Sequence, residues 1–113
     1  MRWNKLRSVD QIENIRAESK VNPVLIFKHS TRCNISRTSL DRLERNWNEE
    51  EMANVSLYFL DLLSYRDISA RIVEEFGVEH ESPQVIIIRD ERPTYDRSHF
   101  EIDYQQIREA IKS

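Results

Sequence analysis

Three short apolar blocks constrain this chain more than any other feature: Val24-Leu25-Ile26-Phe27, Val55-Ser56-Leu57-Tyr58-Phe59-Leu60 and Gln84-Val85-Ile86-Ile87-Ile88. Each is too short for a buried helix and is dominated by β-branched and aromatic residues, so each reads as a strand. Runs without polar alternation suit strands covered on both faces. Between the blocks, apolar residues recur at helical spacing. Ser36, Leu40, Leu43 and Trp47 form one stripe, which predicts a helix starting around the polar loop His29–Asn34 and ending near Trp47. The following Asn48-Glu49-Glu50-Glu51 would sit badly at a helix C-terminus and reads as a solvated loop or turn. A second stripe, Tyr65, Ile68, Ile72, Val73 and Phe76, has Ser64 and Asp67 as candidate caps and Gly77 as its left-handed stop. Strand–helix–strand connections require parallel neighbours and right-handed crossovers.

The ends complete the pattern. Ser8 and Gln11 have capping-box spacing ahead of a helix over residues 9–19 that carries Ile12 and Ile15. A short strand is expected around Trp3–Leu6. After the third block, Arg89–Pro93 turns the chain into a polar edge strand over Thr94–Phe100. That connection is too tight for a crossover and must be a hairpin. Asp103 and Gln106 cap a last helix bearing Ile107, Ala110 and Ile111. The expected fold class is α/β: a mixed sheet with helices on both faces, in a single domain over residues 1–113, a length typical of one domain.

Composition removes several functions. Lys and Arg number 17 against 20 Asp and Glu, a net charge of -3, so phosphate electrostatics offer little and no nucleic-acid partner is expected. No stretch approaches the ~18 apolar residues of a membrane span, and Met1–Lys5 lacks the apolar run of a signal peptide; the expected location is cytoplasmic. The single Gly rules out glycine-rich phosphate cradles. The single Cys rules out an internal disulfide and a zinc site of several thiolates, and His29, His80 and His99 show no ligand spacing, so no metal is expected.

Chemistry therefore falls to Cys33, which follows a buried strand and opens an amphipathic helix. Strand carboxyl ends are where open α/β sheets bind ligands. A helix N-terminus favours thiolate over thiol, and Arg32 adds positive charge, with Lys28 and His29 close in sequence. A lone Cys can also be an inert packing residue, but Ser30, Thr31, Arg32 and Asn34 make a poor apolar pocket. Ser36 is open to two readings, a capping or packing group or a hydrogen-bond donor to the Cys33 thiolate. His29 is likewise either a tuner of Cys33 or a hydrogen-bonded structural histidine. Ser82-Pro83 opens the third strand, where a trans proline is the ordinary expectation, since only ~5–6% of X–Pro bonds are cis.

A Cys at a helix start, a strand and helix, then a Pro opening a hairpin and a last helix together resemble the thioredoxin fold. The segment Phe27-Lys28-His29-Ser30-Thr31-Arg32-Cys33-Asn34-Ile35-Ser36 more closely resembles the signature of the monothiol bacilliredoxins, with Arg32 and Asn34 where Thr and Pro are usual in Thr-Cys-Pro-Ile-Ser. The resemblance implies a monothiol thiol–disulfide oxidoreductase with Cys33 as nucleophile. Arg32, Asn34, Ser36 and His29 would be the motif or thiolate-stabilising residues, and Ser82 and Pro83 would contact substrate, Pro83 in the cis form. It also implies S-thiolated client proteins as partners, no bound cofactor, and bacillithiol as the low-molecular-weight co-substrate. Two alternatives stand beside it. One is a glutathione-using, glutaredoxin-like enzyme, whose Cys-Gly-Phe-Ser motif is not matched by Cys33-Asn34-Ile35-Ser36. The other is a thioredoxin-fold binding module or redox sensor.

Overall fold

The computed structural model describes residues 1–113. Its elements run β1 (Asn4–Lys5), α1 (Gln11–Ser19), β2 (Val24–His29), α2 (Asn34–Asn46), β3 (Ser56–Asp61), α3 (Arg66–Phe76), β4 (Gln84–Arg89), β5 (Arg92–Ser98), a 3₁₀ turn (His99–Glu101) and α4 (Tyr104–Lys112). The five strands are ordered β1-β3-β2-β4-β5. β1, β3 and β2 are parallel, and β4 pairs antiparallel with both β2 and β5.

The apolar blocks occupy the sheet centre because both faces are covered. Val24 and Ile26 of β2, Leu60 of β3 and Ile86 and Ile88 of β4 meet Ile12 and Ile15 of α1 and Ile68, Ile72 and Phe76 of α3. On the other face, Leu25, Phe27, Leu57, Val85 and Ile87 meet Leu43 of α2, Trp47, and Ile107 and Ile111 of α4. Alternate residues of one strand thus feed two cores, so none of the three inner strands shows polar alternation.

Several local expectations are corrected. The Ser8–Gln11 box forms in half: Gln11 Oε1 accepts from the Ser8 amide at 3.0 Å, but Ser8 Oγ accepts from the Asp10 amide at 3.3 Å. The helix consequently begins at Gln11 rather than residue 9. Ser64 does not cap α3; its hydroxyl donates to Asp61 Oδ2 at 3.1 Å, and Tyr65 holds the N-cap position. Glu51 is more than a solvated acid, since it accepts from Lys112 at 2.9 Å and pairs with Arg108, tying its turn to α4.

The β4–β5 turn is tighter than expected and contains no Gly: Asp90 and Glu91 both have positive φ, 51° and 67°, as a two-residue type I′ hairpin requires. Ser19 at the end of α1 holds this turn, its carbonyl accepting from the Asp90 amide at 2.8 Å and its hydroxyl from the Glu91 amide at 2.9 Å. β5 therefore starts at Arg92. It stops at Ser98, because His99 takes φ 55° and breaks the strand before Phe100. Gly77 adopts φ 71° after α3, with Val78 packed in the core, as expected.

Candidate active site

The sheet register positions the site. Lys28 of β2 lies opposite Gln84 of β4, so Ser82-Pro83, which leads into β4, comes alongside the end of the strand that delivers Cys33. The Ser82–Pro83 bond is cis, the geometry that the thioredoxin-fold resemblance implies and that base rates alone disfavour. Neither the amide nor the carbonyl of Ser82 makes a backbone hydrogen bond within the chain, while the Pro83 carbonyl accepts from the His99 amide at 3.0 Å. Ser82 thus keeps an unused donor and acceptor at the mouth of the site. Its hydroxyl is buried without a partner.

Cys33 is the N-cap of α2, extended at φ -111° and ψ 117°, partly exposed and free of any disulfide. Its amide donates to the Ser30 carbonyl at 3.2 Å, and its carbonyl accepts from Arg37 at 3.2 Å. The amides of Asn34, Ile35 and Ser36 have no backbone acceptor. These are the orphan donors of a helix start, and the Cys33 side chain makes no capping hydrogen bond to them. Arg32 and Asn34 flank it, both exposed.

Ser36 is wholly buried. Its Oγ accepts from the Ser30 amide at 3.1 Å and lies 2.7 Å from His29 Nδ1. Either the hydroxyl or the imidazole donates in the second contact, according to the histidine tautomer. Ser36 therefore staples the end of β2 to the first turn of α2, and its oxygen makes no hydrogen bond to Cys33. Burial pushes the His29 imidazole below its ordinary value of 6.5, against the pull of the Asp61 carboxylate. His29 sits in an aromatic cage, 5.4 Å from the Phe59 ring and 6.2 Å from Phe27.

Lys28 lies elsewhere. Strand alternation sends its side chain to the sheet face opposite His29, where it is wholly buried against His80, Nζ to Nδ1 3.4 Å. Lys28 neighbours Cys33 along the chain, but the sheet turns it toward His80, which sequence reasoning weighed only as a metal ligand. The available signal was a lysine directly after the uninterrupted apolar run Val24–Phe27 inside a core strand. No three His, Cys, Asp or Glu side chains converge to hold a metal ion.

A mixed sheet between two helical layers, with a free thiol at a helix start and a cis-proline leading into the adjacent strand, defines a thioredoxin-fold thiol oxidoreductase. The family model for the monothiol bacilliredoxin BrxC matches residues 4–107. The chain belongs to the monothiol bacilliredoxin family. Among solved structures it is similar to a candidate oxidoreductase with a thioredoxin fold, at 31% identity and a TM-score of 0.79, over 94% of this chain and 90% of that one. It also resembles the thioredoxin of Fasciola hepatica (17% identity, TM-score 0.73, 96% of each chain). The thioredoxin of Trypanosoma brucei brucei is similar at 18% identity and TM-score 0.71, over 98% of this chain and 88% of that one. These last two likenesses concern the fold alone.

Proposed function

We propose that Cys33 removes a low-molecular-weight thiol, bacillithiol, from mixed disulfides on client proteins. The observation that carries this reading is the free, partly exposed Cys33 at the N-cap of α2, where three amides have no backbone acceptor. The Cys33 thiolate attacks the bacillithiol sulfur of the client mixed disulfide. A new S–S bond forms to Cys33, the client sulfur leaves as thiolate, and it takes a proton from water. A second bacillithiol thiolate then attacks the bacillithiol sulfur held on Cys33, forming symmetrical bacillithiol disulfide and regenerating the Cys33 thiolate. Both steps are exchanges with no net change in oxidation state, and a separate reductase would recycle the disulfide.

Resolution must come from outside because the chain has no second thiol, and Ser36 stands buried one helical turn on. The free amide and carbonyl of Ser82 support strand-like pairing with the bound client or thiol. Arg32 and Asn34 flank Cys33 in the chain and are both exposed to an approaching partner. No helix is long and apolar enough to cross a membrane, and the reaction is assigned to the cytoplasm, where free thiols are kept reduced. The test is a peptide carrying a bacillithiol mixed disulfide. Wild-type protein should release the free peptide thiol and gain one bacillithiol on Cys33, whereas no release overturns the reading.

A further inference from the structure

Of the three non-glycine residues with positive φ, Asp90 and Glu91 are explained by the hairpin turn they form; His99, at φ 55°, is not. That conformation is unfavourable for a residue with a Cβ and persists where surrounding contacts over-determine it. Three contacts do so at His99. Its amide donates to the Pro83 carbonyl at 3.0 Å, its carbonyl accepts from Ser39 Oγ at 3.2 Å, and its ring Nε2 lies 3.4 Å from Glu81 Oε1. The turn that follows is tied down as well, with Arg42 of α2 donating to the Ile102 carbonyl at 2.6 Å.

The partners of His99 converge on the site. Glu81 and Pro83 stand on either side of Ser82, so His99 holds the segment that carries Ser82 at both flanks. Ser39 belongs to α2, whose N-cap is Cys33. His99 therefore bonds directly to the Ser82 segment and to the Cys33 helix. Gln84 fixes the rest of the segment: its Oε1 accepts from the Glu81 amide at 3.3 Å and its Nε2 donates to the Glu79 carbonyl at 3.0 Å. Ser82, in the middle, keeps its own amide and carbonyl unused. A free donor and acceptor held by the bonds of their neighbours form a preorganised pairing edge, with the cost of ordering met before a partner arrives.

We propose that His99 is a positioning residue for client recognition. It fixes the Ser82 backbone relative to α2, so that an extended client chain pairs with Ser82 while its disulfide is presented to Cys33. This rests on the reading of Cys33 given above and adds the residue that holds the client edge in place. His99 acts through Ser82 and takes no part in the exchange at sulfur. Its loss penalises disulfides attached to a peptide chain and spares those with no chain to pair.

The experiment compares the second-order rates at which the full chain takes bacillithiol from two mixed disulfides. One is formed with an extended peptide, the other with 2-mercaptoethanol, which has no backbone to pair with Ser82. His99→Ala removes the ring and disfavours positive φ. It should lower the peptide rate about tenfold, the upper worth of one hydrogen bond, and leave the 2-mercaptoethanol rate within about twofold. His99→Gln, whose side-chain amide reaches Glu81 in place of Nε2, should bring the peptide rate back to within about threefold of wild type. Glu101→Gln, at an exposed residue of the same turn, should change neither rate. An unchanged peptide rate in His99→Ala, an equal fall in both rates, or a His99→Gln variant no better than His99→Ala overturns the positioning role and leaves the Cys33 reading standing. Failure of wild-type protein to react with either disulfide overturns both.

Discussion

Replacing Ser36 with Ala tests how the active-site loop is held. The hydroxyl is wholly buried and serves two partners, the Ser30 amide at 3.1 Å and His29 Nδ1 at 2.7 Å. Alanine leaves both without a mate. Each unsatisfied buried group costs ~1–3 kcal/mol, and Ser30, only half-buried, recovers part of its loss from water. The expected destabilisation is about 3 kcal/mol, or a fall in Tm of roughly 10 °C for a domain of this size. Urea denaturation followed by far-UV circular dichroism should show a lower midpoint at unchanged slope. Ser39→Ala is the internal standard: it too is buried, but its hydroxyl makes one bond, to the His99 carbonyl at 3.2 Å, worth about 1 kcal/mol. Because Ser36 Oγ is directed to His29 and not to sulfur, alkylation of Cys33 in the folded Ser36→Ala variant should change by less than about threefold. A loss below ~0.5 kcal/mol, or a smaller loss than Ser39→Ala, would refute the staple.

The remaining predictions are equally concrete. Lys28→Met should stabilise the protein at pH 7, because holding a lysine at about 8 instead of 10.5 costs roughly 3 kcal/mol. The unfolded chain keeps its extra proton up to 10.5, so the variant's advantage is complete below pH 8 and shrinks as the pH rises toward 10.5; urea midpoints at pH 7 and pH 10 check both the size and the sign. Glu91→Gly should gain up to ~1 kcal/mol in thermal or urea unfolding, since Glu91 holds φ 67°, where a Cβ is penalised. Asp103→Ala should cost about 1 kcal/mol, as its carboxylate accepts from the Gln106 amide at 3.2 Å and caps α4; an unchanged unfolding midpoint would contradict that.

The fold was legible because its core strands are written as uninterrupted apolar blocks and its helices as single stripes, and the two-sided sheet follows from those patterns alone. Gly77, the one glycine, marked the end of α3 without ambiguity. What stayed hidden was held by tertiary bonds. The Asp90–Glu91 turn carries no glycine or asparagine signal, and its left-handed residues are secured by Ser19, more than seventy positions earlier. The cis form of Ser82–Pro83 leaves no mark in periodicity and came only from the family resemblance. Cys33 was legible from its place after a buried strand, while the bond that occupies Ser36 required His29 and Ser30 in three dimensions. Lys28 and His80 lie 52 positions apart, and nothing local pairs them. The likeness in sequence between Lys28 and His29 as neighbours concealed that the sheet separates them.

The central claim is that Cys33 accepts bacillithiol by disulfide exchange. Intact mass spectrometry of the reduced protein, exposed to equal amounts of bacillithiol disulfide and glutathione disulfide, tests it most directly, with Cys33→Ser alongside. The account predicts one bacillithiol adduct on wild-type protein and none on the variant. A glutathione adduct in its place would retain the enzyme and reject its thiol; no adduct from either disulfide would contradict the account.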